Sequence, residues 1–249
     1  ERYTKCAAAA ADFVLQNMRT GNSLYRTCAV GSPPRIPGYL EDYASLIDAL
    51  IVLYQATFES RWIANALNLA EGMVARFADP QGGFYSTSDE HAHLIARSKD
   101  RYDGSTPSGN SMAAMALLRL GHLTDRRDLR ETGEKTLRAF SSLLAESPGG
   151  SSLMLAALDF HLGPIQEIVV IGPAGSRETE RVLHALRRAY LPNTLVCYHD
   201  PADGEAPVDL IPHFQGKTEE GEVRTYVCEN MTCLAPLLGA EAVERWLGI

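Results

Sequence analysis

Apolar residues recur at helical spacing over the first two thirds of the chain. In "GYLEDYASLIDALIVLYQAT", Tyr39, Tyr43, Leu46, Ile47, Leu50 and Leu53 fall near i, i+3, i+4 and i+7, the stripe of an amphipathic helix. Residues 5–19 are alanine-rich, with Phe13, Val14 and Met18 at the same spacing. "ESRWIANALNLAEGMVARFA", "SGNSMAAMALLRLGHL", "RDLRETGEKTLRAFSSLLAE" and "SSLMLAALDFHLG" repeat the habit, so six helices are predicted over residues 1–163.

These helices resemble one another. "AADFVLQNMRTGNSLYRT" matches "LAEGMVARFADPQGGFYST" as helix, turn, glycine, aromatic and threonine, with Asp12 opposite Glu71. "ALIVLYQATFESRWIANAL" matches "ALLRLGHLTDRRDLRETGE", with Leu53 opposite Leu120 and Trp62 opposite Leu129. A repeat of roughly sixty residues exceeds the ~20–50-residue period of most solenoids. It suits stacked α-hairpins in which inner and outer helices alternate. The fold expected is mainly α: a partial (α/α)6 toroid of about three helical hairpins, half of a six-hairpin ring. The first helix has no cap before Tyr3, and the chain reads as one piece of a larger protein.

The pattern changes after Gly163-Pro164. "QEIVVIG" and "NTLVCYH" are β-branched runs between turn residues, and "SRETERVLHALRRAYL" separates them as a helix with Ser176 at its N-cap. Strand, helix and strand at this spacing make a βαβ unit. "RTYVCEN", residues 224–230, reads as a third strand, and residues 200–222 as a long loop rich in glycine, proline and acids. Residues 164–249 thus form a small α/β unit packed on the helical one. Gly172-Pro173-Ala174-Gly175 lacks the G-x-G-x-x-G spacing of a dinucleotide site.

Composition and charge narrow the function. The 249 residues are 45% hydrophobic and carry a net charge of -8. A phosphate-binding surface needs a basic excess, so nucleic acid is excluded as a partner and a neutral or polar small molecule fits better. No apolar run reaches the ~18 residues of a membrane span. The five cysteines, Cys6, Cys28, Cys197, Cys228 and Cys233, are odd in number and scattered. That argues against a disulfide framework and for a reducing, cytoplasmic compartment. The sequon Asn230-Met231-Thr232 is read as chance, a pointer to a surface loop. No P-loop and no G-x-S-x-G elbow occur, so ATP use and acyl chemistry have no support.

"GYLEDYA", "DPQGGFYSTSD", "RSKDRYDGSTPSGNSMAAMALLRL", "LDFHLGPIQEIVVIG" and "TYVCENMTCLAP" follow one another in an order that resembles the C-terminal part of the YyaL and spermatogenesis-associated protein 20 family. The resemblance runs from about residue 5 to 238. It implies a six-hairpin glycosidase-like barrel preceded by a thioredoxin-like domain, with that domain and the first barrel helices upstream of this chain. Because such barrels are similar to those of sugar epimerases and glycoside hydrolases, it also implies a carbohydrate ligand.

Two stretches carry candidate chemistry. Glu41-Asp42-Tyr43 opens a helix, and Asp42 is placed facing the funnel of the ring. Successive helical residues point about 100° apart, so Glu41 and Asp42 are not expected to face one ligand together. Glu41 and Asp48 share a face but stand about 10 Å apart along the axis, a poor fit to the ~6.5–9.5 Å of an inverting carboxylate pair. The bland alternative is that the acids simply favour the helix dipole. In "RSKDRYDGSTPSGNS", Thr106 and Pro107 read as N-cap and first helical residue, and Asp103-Gly104 as a turn. Arg97, Lys99, Tyr102, Asp103, Ser108 and Asn110 remain: planar donors, an aromatic face and a carboxylate, the types sugar recognition and acid–base chemistry use. A solvated loop with a helix cap is the competing reading.

Asp42 and Asp103 are therefore the candidate acid and base, with Glu41, Tyr43, Arg97, Lys99, Tyr102, Ser108 and Asn110 as candidate sugar-binding residues. Phe84 and Tyr85 could stack on a sugar or staple a turn to the core. His91 and His93 have the type of metal ligands, but zinc needs two more and none is distinctive, so no metal or cofactor is assigned. Cys228 and Cys233 form a C-x4-C pair, read as buried free thiols or as redox thiols linked to the upstream domain. The function expected is carbohydrate binding or epimerase- or hydrolase-type chemistry on a sugar. The alternative is a non-catalytic binding or regulatory module of a thioredoxin-domain protein, and a third possibility is a piece with no intact pocket.

Overall fold

The computed structural model describes residues 2–29, 31–91, 95–229 and 232–249. The chain is mainly α with a small sheet. It divides into two compact units, Glu1–His122 with Arg126–His161, and Leu123–Asp125 with Leu162–Ile249.

The first unit runs α1 (Arg2–Asn17), β1 (Arg19–Thr20), β2 (Ser23–Thr27), β3 (Arg35–Pro37), α2 (Leu40–Thr57), α3 (Arg61–Phe77), α4 (Gly109–Leu123), α5 (Arg127–Ala139), α6 (Ser141–Glu146), a 3-10 turn (Pro148–Gly150) and α7 (Ser152–Leu162). The predicted stripe of α2 is buried at Tyr43, Ile47, Leu50 and Leu53, and α3 buries Trp62, Ile63, Leu69 and Met73. α4 is buried on more than one side, through Ala113, Ala114, Ala116, Leu117, Leu118 and Leu120, as a helix apolar most of the way round must be.

Two elements of the first unit differ from the sequence expectation. Residues 127–146 form two helices rather than one, because the chain turns at Phe140 and carries that ring inward. A three-stranded antiparallel meander, β1-β2-β3, follows α1. Its strands of two to five residues are too short to show an alternating pattern.

The repeat has a physical counterpart. Arg61, at the start of α3, pairs with Asp12 of α1. Arg126, at the start of α5, pairs with Glu71 of α3 at 3.0 Å, and Glu71 is the residue opposite Asp12 in the repeat. The turn after α1 lies on α3, where Arg76 donates to Asn22 Oδ1 and Ser23 Oγ. The turn after α3 lies on α5, where Lys135 Nζ donates to Pro80 O at 2.6 Å. Meanwhile Arg119 of α4 donates to Asp48 and Gln55 of α2 at 2.8 and 2.7 Å. So α1, α3 and α5 are linked in succession, and α2 is linked to α4: two alternating sets of helices.

The second unit runs β4 (Gln166–Ile171), α8 (Arg177–Arg188), β5 (Thr194–His199), 3-10 turns at Pro201–Asp203 and Pro212–Phe214, β6 (Arg224–Glu229), β7 (Thr232–Cys233), β8 (Leu237–Leu238) and α9 (Gly239–Leu247). β4 pairs parallel with β5 and antiparallel with β6, and β7 and β8 share the outer edge of β6. Ile168, Val170 and Val227 bury one sheet face together with Val182 and Leu186 of α8 and Ala240 and Val243 of α9. Ser176 Oγ accepts the Thr179 amide at 3.0 Å, the N-cap the sequence predicts. Among the described residues no helix is long and apolar enough to cross a membrane.

The packing of the turn after α1 on α3 is testable. A Cβ at Gly72 would stand 2.3 Å from Asn22 O, a backbone atom. Gly72→Val is expected to cost about 1–3 kcal/mol through overpacking, read from the urea midpoint. Gly149→Ala, which meets open space, serves as the control. Equal midpoints for the two variants would contradict the packing described.

Candidate functional site

The first turns of α2 and α4 each hold a strand-like segment. The Tyr43 hydroxyl accepts the Leu24 amide at 2.7 Å. Asn110 does the same for Phe84, accepting its amide at 2.7 Å and donating to its carbonyl and to Asp100 O, each at 3.0 Å. Leu24 and Phe84 are equivalent in the repeat. Tyr43 and Asn110 are equivalent at the spacing that sets Leu53 opposite Leu120. Tyr43, Asn110, Leu24 and Phe84 are all buried, so each bond satisfies an amide that has no water to turn to.

The segments held this way bring Arg26 and Ser86, also equivalent in the repeat, to the start of α2. Arg26 Nη1 lies 2.7 Å from Glu41 and 3.5 Å from Asp42, and its guanidinium sits 4.7 Å over the Tyr39 ring. Two hollows flank this group. The larger, about 720 Å³, is lined by Arg26, Glu41, Asp42, Ser45, Thr106 and Pro107, with Val14, Leu46 and Met112 among its apolar walls. The smaller, about 280 Å³, is lined by Arg26, Tyr39, Glu41, Ser86, Asp100 and Gly109. Glu41 and Asp42 thus line one hollow together, against the expectation from their 100° separation, because Arg26 bridges both from β2 and the hollow spans the whole first turn of the helix.

Asp42 is the unusual carboxyl of this group. Its Oδ2 accepts the Tyr39 amide at 2.8 Å, half of a capping box. Among the described residues its Oδ1 accepts no hydrogen bond. Burial raises its pKa above the usual 3.8, and the Tyr39 amide and Arg26 only partly oppose the rise. Asp48 lies apart, on the Arg119 bridge.

The stretch from Arg97 to Asn110 does meet the start of α2. Gly109 comes so close that a Cβ there would stand 3.0 Å from the Leu40 side chain. Its polar side chains, however, are largely engaged with the protein. Arg97 donates to Thr87 O and Arg76 O, both at 2.8 Å, and covers the Tyr85 ring. Lys99 donates to Gly82 O at 2.6 Å and pairs with Asp79 at 2.7 Å. Lys99, the Gln81 amide and the Tyr85 hydroxyl hold Asp79 at a pKa of about 2. Asp103 receives the Ser108 amide on one oxygen and the Leu153 amide on the other, at 2.9 and 2.7 Å, and so ties together the starts of α4 and α7. Ser108, not Thr106, caps α4: its hydroxyl accepts the Ser111 amide at 3.1 Å. Tyr102 is exposed and lies beside Gly150. Phe84 is fully buried, which makes it the staple of its turn.

Human spermatogenesis-associated protein 20 is 33% identical over 86% of this chain and 28% of its own length. The mouse protein of the same name is 31% identical over 95% of the chain and 32% of its length. The chain belongs to the spermatogenesis-associated protein 20 family. It matches the C-terminal part of those relatives and spans about a third of their length. A Caenorhabditis elegans protein, "Uncharacterized protein B0495.5", is 24% identical over 98% of the chain and 34% of its own length. No family model matches the chain.

Three further residues in this family member bear on chemistry. Cys228 and Cys233 are joined in a disulfide, which overturns their reading as free thiols: the β6–β7 ladder sets them directly opposite each other, a pairing that spacing alone does not reveal. Cys6, Cys28 and Cys197 are not in disulfides. His91 is half-buried rather than exposed, stacks on Tyr39 with ring centroids 4.8 Å apart, and shares a hydrogen bond with Ser88. His93, Asn230 and Met231 lie outside the described residues. Among the described residues no group of three or more His, Cys, Asp or Glu could hold a metal ion. Arg26, Tyr39, Ser86 and Asp100 were not singled out from the sequence. The signal for Arg26 and Ser86 lay in the repeat, where "LYRT" aligns with "FYST".

Two outcomes follow from this geometry. Asn110→Ala leaves the buried Phe84 amide without its acceptor and is expected to cost about 2–3 kcal/mol, measured by denaturant unfolding; a loss below about 0.5 kcal/mol would contradict the clamp. Asp42 gives a signed pH dependence. The folded chain holds its proton more tightly than the unfolded chain, so its carboxylate costs stability as pH rises from 3.8 through the raised folded value. Asp42→Asn keeps an acceptor for Tyr39 and removes the charge. Its melting temperature relative to wild type is expected to improve between about pH 4 and about pH 7; a relative decline over that range would show that Asp42 is a stabilising carboxylate instead.

Proposed function

We propose that the first unit binds a small, neutral, polyhydroxylated ligand of the sugar class at the start of α2. The observation that carries this reading is Asp42, a half-buried carboxyl with raised pKa and an unengaged oxygen on the wall of a hollow of about 720 Å³. The chemistry fits. One guanidinium among Glu41, Asp42 and Asp100 does not favour a phosphate, and polar groups beside apolar walls suit a sugar's two kinds of surface. Asp42, kept protonated to higher pH than an ordinary aspartate, serves as the acid of acid–base chemistry at an anomeric or adjacent carbon, of epimerase or hydrolase type. Glu41 and Arg26 orient the ligand. Asp103, with both oxygens on backbone amides, acts by positioning the starts of α4 and α7, and Arg97, Lys99, Tyr43, Ser108 and Asn110 support the rim. No cofactor is invoked.

The linkage of α1 with α3 and α5, and of α2 with α4, supports a partial α/α toroid as the frame. The family resemblance supports a reading in which the rest of the ring and a thioredoxin-like domain lie upstream and the setting is reducing and cytoplasmic. A second reading has its own support: so many rim side chains are engaged in structural bonds that the unit could bind without turnover, as a regulatory module for the upstream domain.

Calorimetric titration with a panel of mono- and oligosaccharides tests the proposal, on this chain and on a full-length relative. At least one sugar is expected to bind, and Asp42→Asn to weaken it by about 10-fold or more, the loss of a hydrogen bond to a charged or polar partner. Product analysis of the binding sugar separates the two readings. Failure of every sugar to bind both proteins at millimolar concentration would sink the first.

A further inference from the structure

The second unit holds a separate chemical feature, independent of the sugar reading. Cys228 and Cys233 face each other across β6 and β7, with Cα atoms 3.9 Å apart. The neighbouring Leu234 amide donates to Val227 O at 2.9 Å, so the cysteines occupy a position between ladder hydrogen bonds, where side chains approach most closely. Their surroundings are unequal. Cys228 is 5% exposed, on a strand fixed along its length to β4, where it stands opposite Glu167. Cys233 is exposed, on an edge strand of two residues.

Three observations argue against a purely structural bond. The bridge spans a sequence separation of only 5, and a short loop gains least from closure. β6 is already held by β4, and β8 pairs with its far end, so the sheet does not need the bridge to define its register. The chain also leaves Cys6 exposed and Cys28 half-exposed as free thiols, unlike a scaffold that relies on disulfides.

We propose that Cys228–Cys233 is a thiol–disulfide exchange site, with Cys233 the sulfur that accepts attack and Cys228 the buried partner that leaves and returns, and with a dithiol as co-substrate. In the reductive direction a thiolate of the dithiol attacks Cys233 Sγ. A mixed disulfide forms, the Cys228–Cys233 bond breaks, and its electron pair leaves on Cys228, which takes a proton from water. The second thiol of the co-substrate, as thiolate, then attacks its own mixed-disulfide sulfur and releases Cys233 as thiolate, which is protonated in turn. Two electrons pass from the dithiol, now a disulfide, to the cysteine pair. The reverse sequence lets the reduced pair reduce a disulfide. Cys228 remains positioned by the β4–β6 ladder throughout, and Cys233 lies on the edge that can move as the bond opens.

The test is differential alkylation and mass mapping of the whole chain, untreated and after brief exposure to millimolar dithiothreitol under native conditions. Untreated protein should show the Cys228–Cys233 link. Treated protein should show both thiols alkylated, with unchanged circular dichroism. In a background with Cys6 and Cys28 replaced by serine, Cys233 in the Cys228→Ser variant should react with 5,5′-dithiobis(2-nitrobenzoate) at least about 10-fold faster than Cys228 in the Cys233→Ser variant, because thiol reactivity follows exposure. A link that opens only on unfolding, or free thiols at both positions in air-oxidised protein, would overturn the proposal. Equal reactivity of the two single cysteines would overturn the roles assigned to them. The wild-type measurement stands whether or not the variants fold.

Discussion

A backbone amide leaving a turn and captured at the start of the next helix is the contact on which the first unit depends. Tyr43 captures Leu24, and Asn110 captures Phe84. Both amides are buried, and an unpaired buried amide would oppose folding by more than most side-chain contacts favour it. The two clamps fix where β2 and the residues after Phe84 run relative to α2 and α4. Arg26 and Ser86, two residues beyond the captured amides, are thereby delivered to the same place. Both line the smaller hollow, so part of its rim follows from the repeat.

The same constraint explains why so few of the rim's polar groups remain for a ligand. Between α3 and α4, residues 78–108 form no helix among the described residues. This segment's polar backbone needs partners, and its own side chains supply many of them: Lys99 for Gly82, Arg97 for Thr87 and Asp103 for Ser108. The carboxyls divide accordingly. Asp79, bonded to Lys99, Tyr85 and an amide, is held at about 2, whereas Asp42 is desolvated with one oxygen unengaged and is pushed upward. A carboxyl that burial makes unfavourable is a feature that stability does not select.

The helical elements were legible because their apolar stripes are long. α2 and α3 match their patterns closely, and Asp12 and Glu71, opposite each other in the repeat, take part in equivalent ion pairs. The β1–β3 meander was illegible because strands this short carry no period. The break at Phe140 was illegible because an apolar residue at helical spacing looks the same whether the helix continues or turns. For the candidate site, the start of α2 was legible and the role of the Arg97–Asn110 stretch was not. Side-chain types show what a residue can bond, but not that a backbone carbonyl or amide will claim it first. Arg26 shows the converse: it belongs to the repeat but to no chemical motif, and it becomes central because the fold sets β2 against the start of α2.

The central claim is that Asp42 is set apart from the carboxyls that build the structure. Its direct test is a carbon-13 carboxyl titration of the folded chain, with Asp42 assigned by comparison with Asp42→Asn. The account predicts that Asp42 titrates above 3.8 and Asp79 near about 2. An Asp42 that titrates at or below 3.8 would place it among the structural carboxylates and contradict the account.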